Sequence, residues 1–289
     1  MKKNTGSITI DHVAAAAKVS TATVSRALNR PETVSPALKE KINAVIKKLG
    51  YIPNAGARSL MLKRSGTIGA IVPTLDNAIF AQGLSEFQRQ LNQSGHQLLV
   101  ASSNYDPNIE ATQITNLLTR GVEGIVLFGI SQHREALKLM RTRNIPYIHV
   151  GSLAAPLNGY TSGFDNAEAI KLGVKHLLDH GHKHFGMLSG ITANNDRAQD
   201  RVAGTLALLA EKKIYLKPEM IVECRYELQE ARLGLKKLLL NNPKITAIIC
   251  GQDVLALGAL LEAQKQGIKV PKELSIVGFD DLEISRHLL

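Results

Sequence analysis

The sequence has no tryptophan, and its phenylalanine and tyrosine residues make up only 4% of the 289 positions. This scarcity argues against a protein that binds single-stranded nucleic acid by base stacking. Cys224 and Cys250 are the only cysteines, and their spacing matches neither a zinc site nor a redox motif, so we expect buried thiols in a reducing compartment. No apolar run approaches the roughly 18 residues that a membrane span needs, and no secretory signal is evident. We therefore expect a cytoplasmic protein.

Acidic residues are scarce at the amino terminus. Residues 1–64 contain 12 Lys and Arg against 3 Asp and Glu, whereas residues 65–289 contain 23 against 22. Nearly all of the formal charge of +10 therefore lies in the first part of the chain. Lysine and arginine that neutralise phosphates release condensed counterions, so such a segment favours a polyanion. The sequence predicts a small nucleic-acid-binding domain followed by a larger, electrically balanced one.

The basic segment carries the pattern of three short helices. Thr9 is placed to cap the first helix, Ser20 to cap a second over Thr21–Asn29, and Ser35 to begin a third that Gly50 ends. Two or three residues remain for the turn between the first two helices, as in a helix-turn-helix that presents its second helix to the DNA major groove. The alternative is a generic three-helix bundle with a solvated basic face.

From residue 65 onward, short apolar runs alternate with helical patterns. This alternation predicts βαβ units and a parallel sheet covered by helices on both faces. Strands buried on both faces appear as continuous apolar runs, and the runs here have that character. The predicted strands are 67–72, 97–101, 124–128, 147–150, 184–188, 247–250 and 275–277.

Polar residues follow these predicted strands. In parallel sheets the ligand crevice lies beyond the carboxyl ends of the strands. Each polar residue could instead cap the helix that follows it, but several at one edge favour a polar crevice. The residues concerned are Asp76, Asn77, Ser102, Ser103, Asn104, Ser131, Asp165, Asn166, Gln252, Asp253, Asp280 and Asp281.

Six motifs are spread along the chain: Val19-Ser20-Thr21-Ala22-Thr23-Val24-Ser25-Arg26, Leu49-Gly50-Tyr51-Ile52-Pro53-Asn54, Ala57-Arg58-Ser59-Leu60, Gly163-Phe164-Asp165-Asn166, Arg201-Val202-Ala203-Gly204 and Val277-Gly278-Phe279-Asp280-Asp281. Taken in order, these motifs resemble the LacI/GalR family of bacterial transcriptional repressors along essentially the whole chain. The resemblance implies an all-α helix-turn-helix head plus a hinge helix, followed by an α/β, two-lobed, periplasmic-binding-protein-like domain with parallel sheets. The expected domains are a DNA-binding head at 1–52, a hinge helix and linker at 53–64, and an effector and dimerisation domain at 65–289.

The resemblance also assigns DNA contacts. It implies that bases are read by one set of side chains, that phosphates are held by a second, and that a hinge helix from Asn54 to Leu60 forms on specific DNA. Leu60 would wedge into the minor groove, where bending offsets the cost of unstacking. The base-facing set is Thr21, Ala22 and Arg26, the phosphate set is Thr23, Ser25 and Asn29, and the hinge set is Asn54, Ala57 and Leu60.

Three residues of the head depart from the family pattern. Lys18 occupies the position of the usual turn glycine, His12 that of an aspartate, and Gly56 lies inside the hinge helix. We expect a left-handed backbone at Lys18 with some conformational cost and an additional phosphate contact. Gly56 disfavours the hinge helix by about 0.5 to 1 kcal/mol relative to alanine.

For the larger domain the resemblance implies a small effector bound between two lobes. The matching contact positions are Phe80, Asp165, Arg201, Gln252 and Asp280, and Gln252 stands where the family often has asparagine. Carboxylates and arginine suit neighbouring hydroxyls, and an aromatic ring suits the apolar face of a sugar. The expected ligand is a sugar or sugar acid.

Metal, cofactor and catalytic sites are not expected. A metal interpretation exists for His176, His180, His182 and His184, but Gly181 ends the helix and no carboxylate or thiol completes a ligand set. No spacing of the crevice residues specifies a nucleophile or an acid-base pair.

The resemblance also implies that another strand and another helix follow the point in the family that matches residues 287–289. We therefore expect a shortened effector domain.

The sequence thus predicts a homodimeric, sequence-specific repressor that binds a palindromic operator in double-stranded DNA under the control of a small sugar or sugar derivative. One alternative is a constitutive or inactive DNA-binding remnant without effector response. Another is a soluble sugar-binding or transport protein whose basic head is incidental. Operator binding that weakens steeply with salt would separate the last from the first two.

Overall fold

A computed structural model describes residues 8–54, 56, 64–153 and 159–288. Contacts between residues divide the chain into two compact units, Met1–Gly66 and Thr67–Leu289. We call the first unit the head and the second the body.

The head contains the three predicted helices. Helix α1 spans Ile10–Ala17, α2 spans Thr21–Asn29 and α3 spans Pro36–Leu49. Because each helix has apolar residues on one side, the three pack around a small core. The buried residues of this core are Val13, Ala14, Ala17, Val24, Ala27 and Ile42.

Local capping explains where these helices begin and end. The Ser20 hydroxyl accepts a hydrogen bond from the Thr23 amide at 3.2 Å, as predicted for the cap of α2. Gly50 ends α3 with a φ of 65°, and Lys18 ends α1 with a φ of 53°. The predicted left-handed conformation of Lys18 is therefore confirmed. His12 closes the first turn of α1, since its Nδ1 accepts a hydrogen bond from the Thr9 amide at 3.1 Å.

The first lobe of the body, residues 67–162, is a parallel sheet with strand order β2-β1-β3-β4-β5. Its strands are β1 Thr67–Val72, β2 Gln97–Ser102, β3 Gly124–Phe128, β4 Tyr147–Val150 and β5 Tyr160–Ser162. The helices between them are α4 Ala78–Gln93, α5 Pro107–Thr119 and α6 Arg134–Thr142.

The second lobe, residues 166–288, is a parallel sheet with strand order β7-β6-β8-β9. Its strands are β6 Phe185–Gly190, β7 Ile221–Cys224, β8 Ala247–Cys250 and β9 Ser275–Val277. Its helices are α7 Asn166–Asp179, α8 Asp196–Glu211, α9 Leu228–Asn241 and α10 Asp253–Lys265.

The sheet of the second lobe is covered on both faces, as predicted. Along β8, Ile248 and Cys250 belong to one apolar cluster, which also includes residues of α9 and α10, whereas Ala247 and Ile249 belong to another, which includes residues of α7 and α8. All four side chains are fully buried. Successive residues of a strand point to opposite faces, so a strand buried on both sides must be apolar at every position.

The strands differ from the prediction in four places. The predicted strand 97–101 extends by one residue, to Ser102. The predicted strand 184–188 is observed as Phe185–Gly190, and two strands, Tyr160–Ser162 and Ile221–Cys224, were not predicted. Both unpredicted strands lie at an edge of their sheet. As predicted, Cys224 and Cys250 are buried free thiols. Among the described residues, no helix combines the length and apolarity required to cross a membrane.

Candidate functional site

Helix α2 presents the residues predicted to read DNA bases. Thr21, Ala22 and Arg26 are exposed on its surface, while Val24 and Ala27 point into the head core. The hydrophobic side thus fixes which side remains available to a ligand. This placement agrees with a role in base contact, and the role itself stays a prediction.

The predicted phosphate-binding residues are half-buried on the same helix. Asn29 donates from Nδ2 to the Ser25 carbonyl oxygen at 3.0 Å, and Arg26 Nη2 approaches Thr23 Oγ1 at 3.4 Å. These contacts orient polar side chains along the surface of α2.

The predicted hinge is described only in part. Ala57 and Leu60 lie outside the described residues, so their predicted roles stay predictions. Asn54 Oδ1 accepts a hydrogen bond from the Gly56 amide at 2.9 Å.

In the body, the strand order determines where a ligand crevice forms. Each sheet reverses its winding direction between two central strands, β1 and β3 in the first lobe and β6 and β8 in the second. Ligands of such folds bind beyond the carboxyl ends of the strands at this point. Phe80 follows β1, Phe128 ends β3, Asn195 follows β6 and Gln252 follows β8. All four line the same cavity.

This cavity, which we call the effector cavity, has a volume of about 410 Å³. Of the five predicted effector residues, Phe80, Arg201, Gln252 and Asp280 line it. The remaining lining residues are Ile79, Tyr105, Phe128, Gly151, Phe164, Asn166, Asn195, Arg197, Tyr226 and Phe279. Residues of both lobes therefore line one cavity.

Asp165 is placed differently from the other four. Its side chain is exposed and accepts a hydrogen bond from the Glu168 amide at 2.9 Å, which caps α7. The neighbours Phe164 and Asn166 line the cavity instead. In the structure Asp165 thus caps a helix, which the sequence analysis gave as the alternative to a ligand contact for polar residues after a strand. A contact between Asp165 and the effector stays a prediction.

Arg197, Arg201 and Asp280 are the charged residues among those that line the effector cavity. Burial raises the pKa of Asp280 to about 6, although the Arg201 charge and a hydrogen bond from Gln252 oppose the rise. Arg201 also stacks on Phe279, with its guanidinium carbon 4.6 Å from the ring centroid. Arg201 Nε and Asp280 Oδ2 are buried and have no hydrogen-bond partner among the described residues. Two residues of the cavity lining thus each hold one buried polar atom without a partner, a donor on Arg201 and an acceptor on Asp280.

Two sets of hydrogen bonds cross the cleft beside the cavity. Asn77 Nδ2 donates to Gln252 Oε1 at 2.7 Å. In the second set, the Asp196 carboxylate accepts hydrogen bonds from the Ile130 amide at 3.2 Å and from the Ser152 hydroxyl. These hydrogen bonds join the two lobes, and one of them involves Gln252, a predicted effector residue.

Sequence reasoning missed several lining residues. Tyr105, Phe128 and Tyr226 come from distant parts of the chain, so no local motif connects them. Tyr105 and Tyr226 lie across the cleft, with ring centroids 6.2 Å apart. Phe279 could have been found, since it immediately precedes the predicted Asp280.

The histidines have structural contacts. His182 bridges Thr246 Oγ1 at 2.9 Å and Ser275 Oγ at 3.0 Å. The rings of His176 and His180 lie against each other, with centroids 4.4 Å apart. Within the described ranges, no group of three or more histidine, cysteine or acidic residues is arranged to hold a metal ion.

Comparison with protein families matches both parts of the chain. Residues 9–54 match the family model for "Bacterial regulatory proteins, lacI family". Residues 65–288 match the model for "Periplasmic binding proteins and sugar binding domain of LacI family". Together the two matches cover nearly the whole chain and confirm the resemblance seen in the sequence.

Individual relatives agree with the family matches. The ribose operon repressor of Haemophilus influenzae is 31% identical over 97% of this chain and 84% of its own length. The transcriptional repressor CytR of Escherichia coli is 31% identical over 99% of this chain and 83% of its own length. A crystal structure of the lac repressor dimer bound to operator and an anti-inducer superposes with a TM-score of 0.82, at 27% identity over 97% of this chain and 84% of that one. The predicted two-part fold is thereby confirmed.

Proposed function

Since the chain belongs to the lacI family of bacterial regulatory proteins, we propose that it is a repressor whose binding to a palindromic operator is set by a small molecule in the effector cavity. Family membership makes it a DNA-binding transcriptional regulator. The residue assignments, the ligand and the direction of the response are the parts that this proposal adds.

The observation that carries the proposal is the convergence of Phe80, Arg201, Gln252 and Asp280 on one cavity. They lie 200 positions apart at the extremes, so only the fold brings them together. Carboxylate, guanidinium and amide groups beside aromatic rings suit a small hydroxylated ligand. The relative named as a ribose operon repressor is consistent with a sugar-like effector.

The head supplies the DNA-binding half of the proposal. Thr21, Ala22 and Arg26 are exposed on α2, in the position that reads base edges in a helix-turn-helix. In a homodimer, two such helices would occupy adjacent half-sites of a palindrome. The lac repressor structure, a dimer on its operator, supports this arrangement.

A ligand can regulate the protein only if it binds the operator-competent and operator-free states with different affinity. The hydrogen bonds between the lobes provide contacts that could differ between the states. We propose that ligand binding alters these contacts and that the hinge region, residues 53–64, transmits the change to the head at 1–52. We assign the cavity residues a binding role and no catalytic one, and we place the protein in the cytoplasm, where operator DNA lies.

The proposal is tested by selecting an operator from random duplex DNA and measuring its affinity by fluorescence anisotropy with a panel of sugars, sugar acids and nucleosides. We expect one compound to change the operator affinity at least tenfold. Asp280→Asn should abolish that response while leaving operator binding intact, because Asp280 lines the cavity. Asp281→Asn is the matched control, since the adjacent Asp281 is exposed and pairs with Arg286. An equal response in both variants would contradict the assignment.

A further inference from the structure

A second cavity lies where the two lobes meet, and it is much smaller than the effector cavity. Its volume is about 20 Å³, which is room for about one water molecule, so it does not suit an organic ligand. Glu110 and Gln132 belong to the wall that the first lobe forms, and Asn194 and Arg197 of the second lobe complete the enclosure. We call this space the seam cavity. A separation of the lobes would open it to water.

Two residues at the start of α8 extend from the second lobe into the first beside the seam cavity. Asp196 and Arg197 form an ion pair, with Arg197 Nη1 3.0 Å from Asp196 Oδ1, and both side chains are almost wholly buried. Gly129 leaves room for them, since a Cβ atom there would overlap both Asp196 Oδ1 and Arg197 Nη1. The Arg197 charge is therefore paired within its own lobe.

Glu110 is a buried carboxyl group without a cation of its own. It is only 7% exposed, and within the described ranges it forms no ion pair. Its neighbour is Gln132, whose Nε2 lies 3.5 Å from Glu110 Oε1. A buried carboxylate without a paired cation is costly, so this environment favours the neutral acid.

The orientation of Gln132 supports a neutral Glu110. Gln132 Nε2 also donates to the carbonyl oxygens of Phe128 and Gly129, at 3.3 and 3.1 Å, which fixes how the amide lies. Gln132 Oε1 is then buried and has no donor among the described residues. The protonated carboxyl group of Glu110 can supply that donor, whereas a carboxylate cannot.

Burial outweighs the charges that surround Glu110. Burial raises the pKa of Glu110 to about 7, the hydrogen bond from Gln132 and the charge of Arg197 oppose the rise, and the charge of Asp196 adds to it. Arg197 and Asp196 thus act in opposite directions, as expected of an ion pair. What remains is the access of water to the carboxyl group.

The other elements around Glu110 contribute little charge. Glu110 is the only charged residue of α5, the strands β1, β2 and β3 carry none, and the charged residues of α6 and the preceding His133 are exposed. His149 binds the Gly129 carbonyl oxygen through Nδ1, and burial lowers its pKa. The remaining titratable residues in the wall of the seam cavity are Tyr105 and Asp106.

Parting the lobes gives water access to Glu110, so the two forms of this side chain favour different arrangements of the body. We infer that a proton bound to Glu110 holds the two lobes together and that loss of this proton loosens them. In the joined arrangement the neutral carboxyl group donates to Gln132 Oε1. When the lobes part, the carboxylate is hydrated and its proton passes to water. Acidic conditions therefore favour joined lobes.

The pH window follows from the two states of Glu110. The joined lobes hold the proton up to a pH of about 7, and a hydrated glutamate releases it near its ordinary value of 4.5. Between these values one proton changes the balance of joined and parted lobes by up to about tenfold per pH unit, and above pH 7 the balance is constant. For the operator, this inference rests on the proposed function, in which contacts between the lobes control the head.

Electron paramagnetic resonance measures the arrangement of the lobes in the full chain. Spin labels are attached through Asn108→Cys in the first lobe and Glu227→Cys in the second, two exposed positions that line the cleft from opposite sides. The native Cys224 and Cys250 are buried and should stay unlabelled. We expect the ratio of the longer to the shorter distance population to rise at least about threefold from pH 5 to pH 7 and to stay constant from pH 7 to pH 8.

Glu110→Gln should remove this pH dependence, because an amide donates to Gln132 and does not ionise. At every pH it should resemble the wild type at pH 5. Glu135→Gln is the matched control, since Glu135 is exposed and its loss should leave the profile unchanged. If Glu110→Gln fails to fold, as judged by circular dichroism, Glu110→Leu replaces it and should likewise show no dependence on pH.

Two results would overturn the inference: distances that do not change with pH, or distances that change equally in the wild type and in the variant without Glu110. Operator affinity of the same proteins separates this failure from that of the proposed function. Glu110→Gln should match the wild type at pH 5 and differ from it at least about threefold at pH 8. Equal operator affinities at pH 8 beside different distances would remove the proposed control of the head and keep the role of Glu110.

Discussion

Gln252 and Asn77 are joined by a 2.7 Å hydrogen bond that crosses from the second lobe to the first. Both residues are buried, with 4% of the surface of each exposed. Asn77 also caps α4 by accepting from the Ile79 amide, and Gln252 lies beside Asp280 in the lining of the effector cavity, where it opposes the rise in the pKa of that carboxyl group. The two residues therefore connect the cavity to the start of a first-lobe helix.

A double-mutant cycle measures this connection. Gln252→Leu leaves the Asn77 amide without its partner, and Asn77→Ser keeps a capping oxygen but cannot reach Gln252. Each single change should cost about 1 to 3 kcal/mol in the free energy of unfolding, because a buried polar group loses its partner. The double variant should cost clearly less than the sum. Urea unfolding provides the values, and additive costs within about 0.5 kcal/mol would exclude the coupling.

Lys18 offers a test of backbone strain in the head. It has a φ of 53°, which a residue with a Cβ atom adopts at a cost of about 1 kcal/mol or more. Lys18→Gly should therefore raise the thermal stability of the head. It should also reduce the salt dependence of DNA affinity, because an exposed positive charge is lost. Lys18→Gln separates the two effects, since it removes the charge and keeps the strain.

Glu110 makes the stability of the body depend on pH. Burial raises its pKa to about 7 from an ordinary value of 4.5, while the hydrogen bond from Gln132 opposes the rise. The folded state therefore holds a proton that the unfolded state releases between these values, so stability falls as pH rises from about 4.5 to about 7. The shift corresponds to about 3 kcal/mol. Above pH 7 the contribution is constant.

The variant Glu110→Gln should flatten this dependence, because an amide does not ionise. Urea unfolding at pH 5, 6, 7 and 8 provides the comparison. Glu135→Gln on the adjacent α6 is the control, since Glu135 is exposed and its substitution should leave the profile unchanged. Part of the slope should persist in Glu110→Gln, because the pKa of Asp280 is also raised, to about 6. Identical profiles for wild type and Glu110→Gln would show that Glu110 is not the titrating group.

Arg26 is predicted to read a base. Arg26→Ala should cost about 1 to 3 kcal/mol on the selected operator and relax the preference for one base pair. Arg30→Ala removes the same charge at the end of α2, so the difference between the variants isolates base reading from general attraction to phosphate. Selection from a randomised operator provides the readout. The same base preference in both variants would assign Arg26 to the phosphates.

Much of the fold is predictable because the central strands are buried on both faces. Strands such as Ala247–Cys250 are apolar at every position, and their bounds match the prediction. The two missed strands lack this signal. Tyr160–Ser162 has only three residues, two of which are exposed, and Ile221–Cys224 carries the exposed Glu223. The edge strands Gln97–Ser102 and Ser275–Val277, by contrast, were predicted, because their sequences contain short apolar runs.

The effector cavity was predictable where a residue lies in a family motif, as Arg201 does in helix α8 and Asp280 does after strand β9. It was not predictable where the backbone conformation determines which residue reaches the cavity. Asn104 and Tyr105 have φ values of 52° and 60°, and this left-handed stretch leads to Tyr105 in the cavity wall. Asp165 shows the opposite case, because its motif matches while its side chain caps α7. A motif fixes the residue type, and the fold decides what that residue contacts.

The most direct test of the whole account is the affinity of the full chain for its selected operator and for a scrambled duplex across a salt series, with and without the effector. We expect the operator to be preferred at least a thousandfold, the affinity to fall steeply with salt, and the effector to change only the operator affinity appreciably. Equal affinity for both duplexes at every salt concentration, unchanged by every ligand tested, would contradict a head that reads DNA under the control of the body.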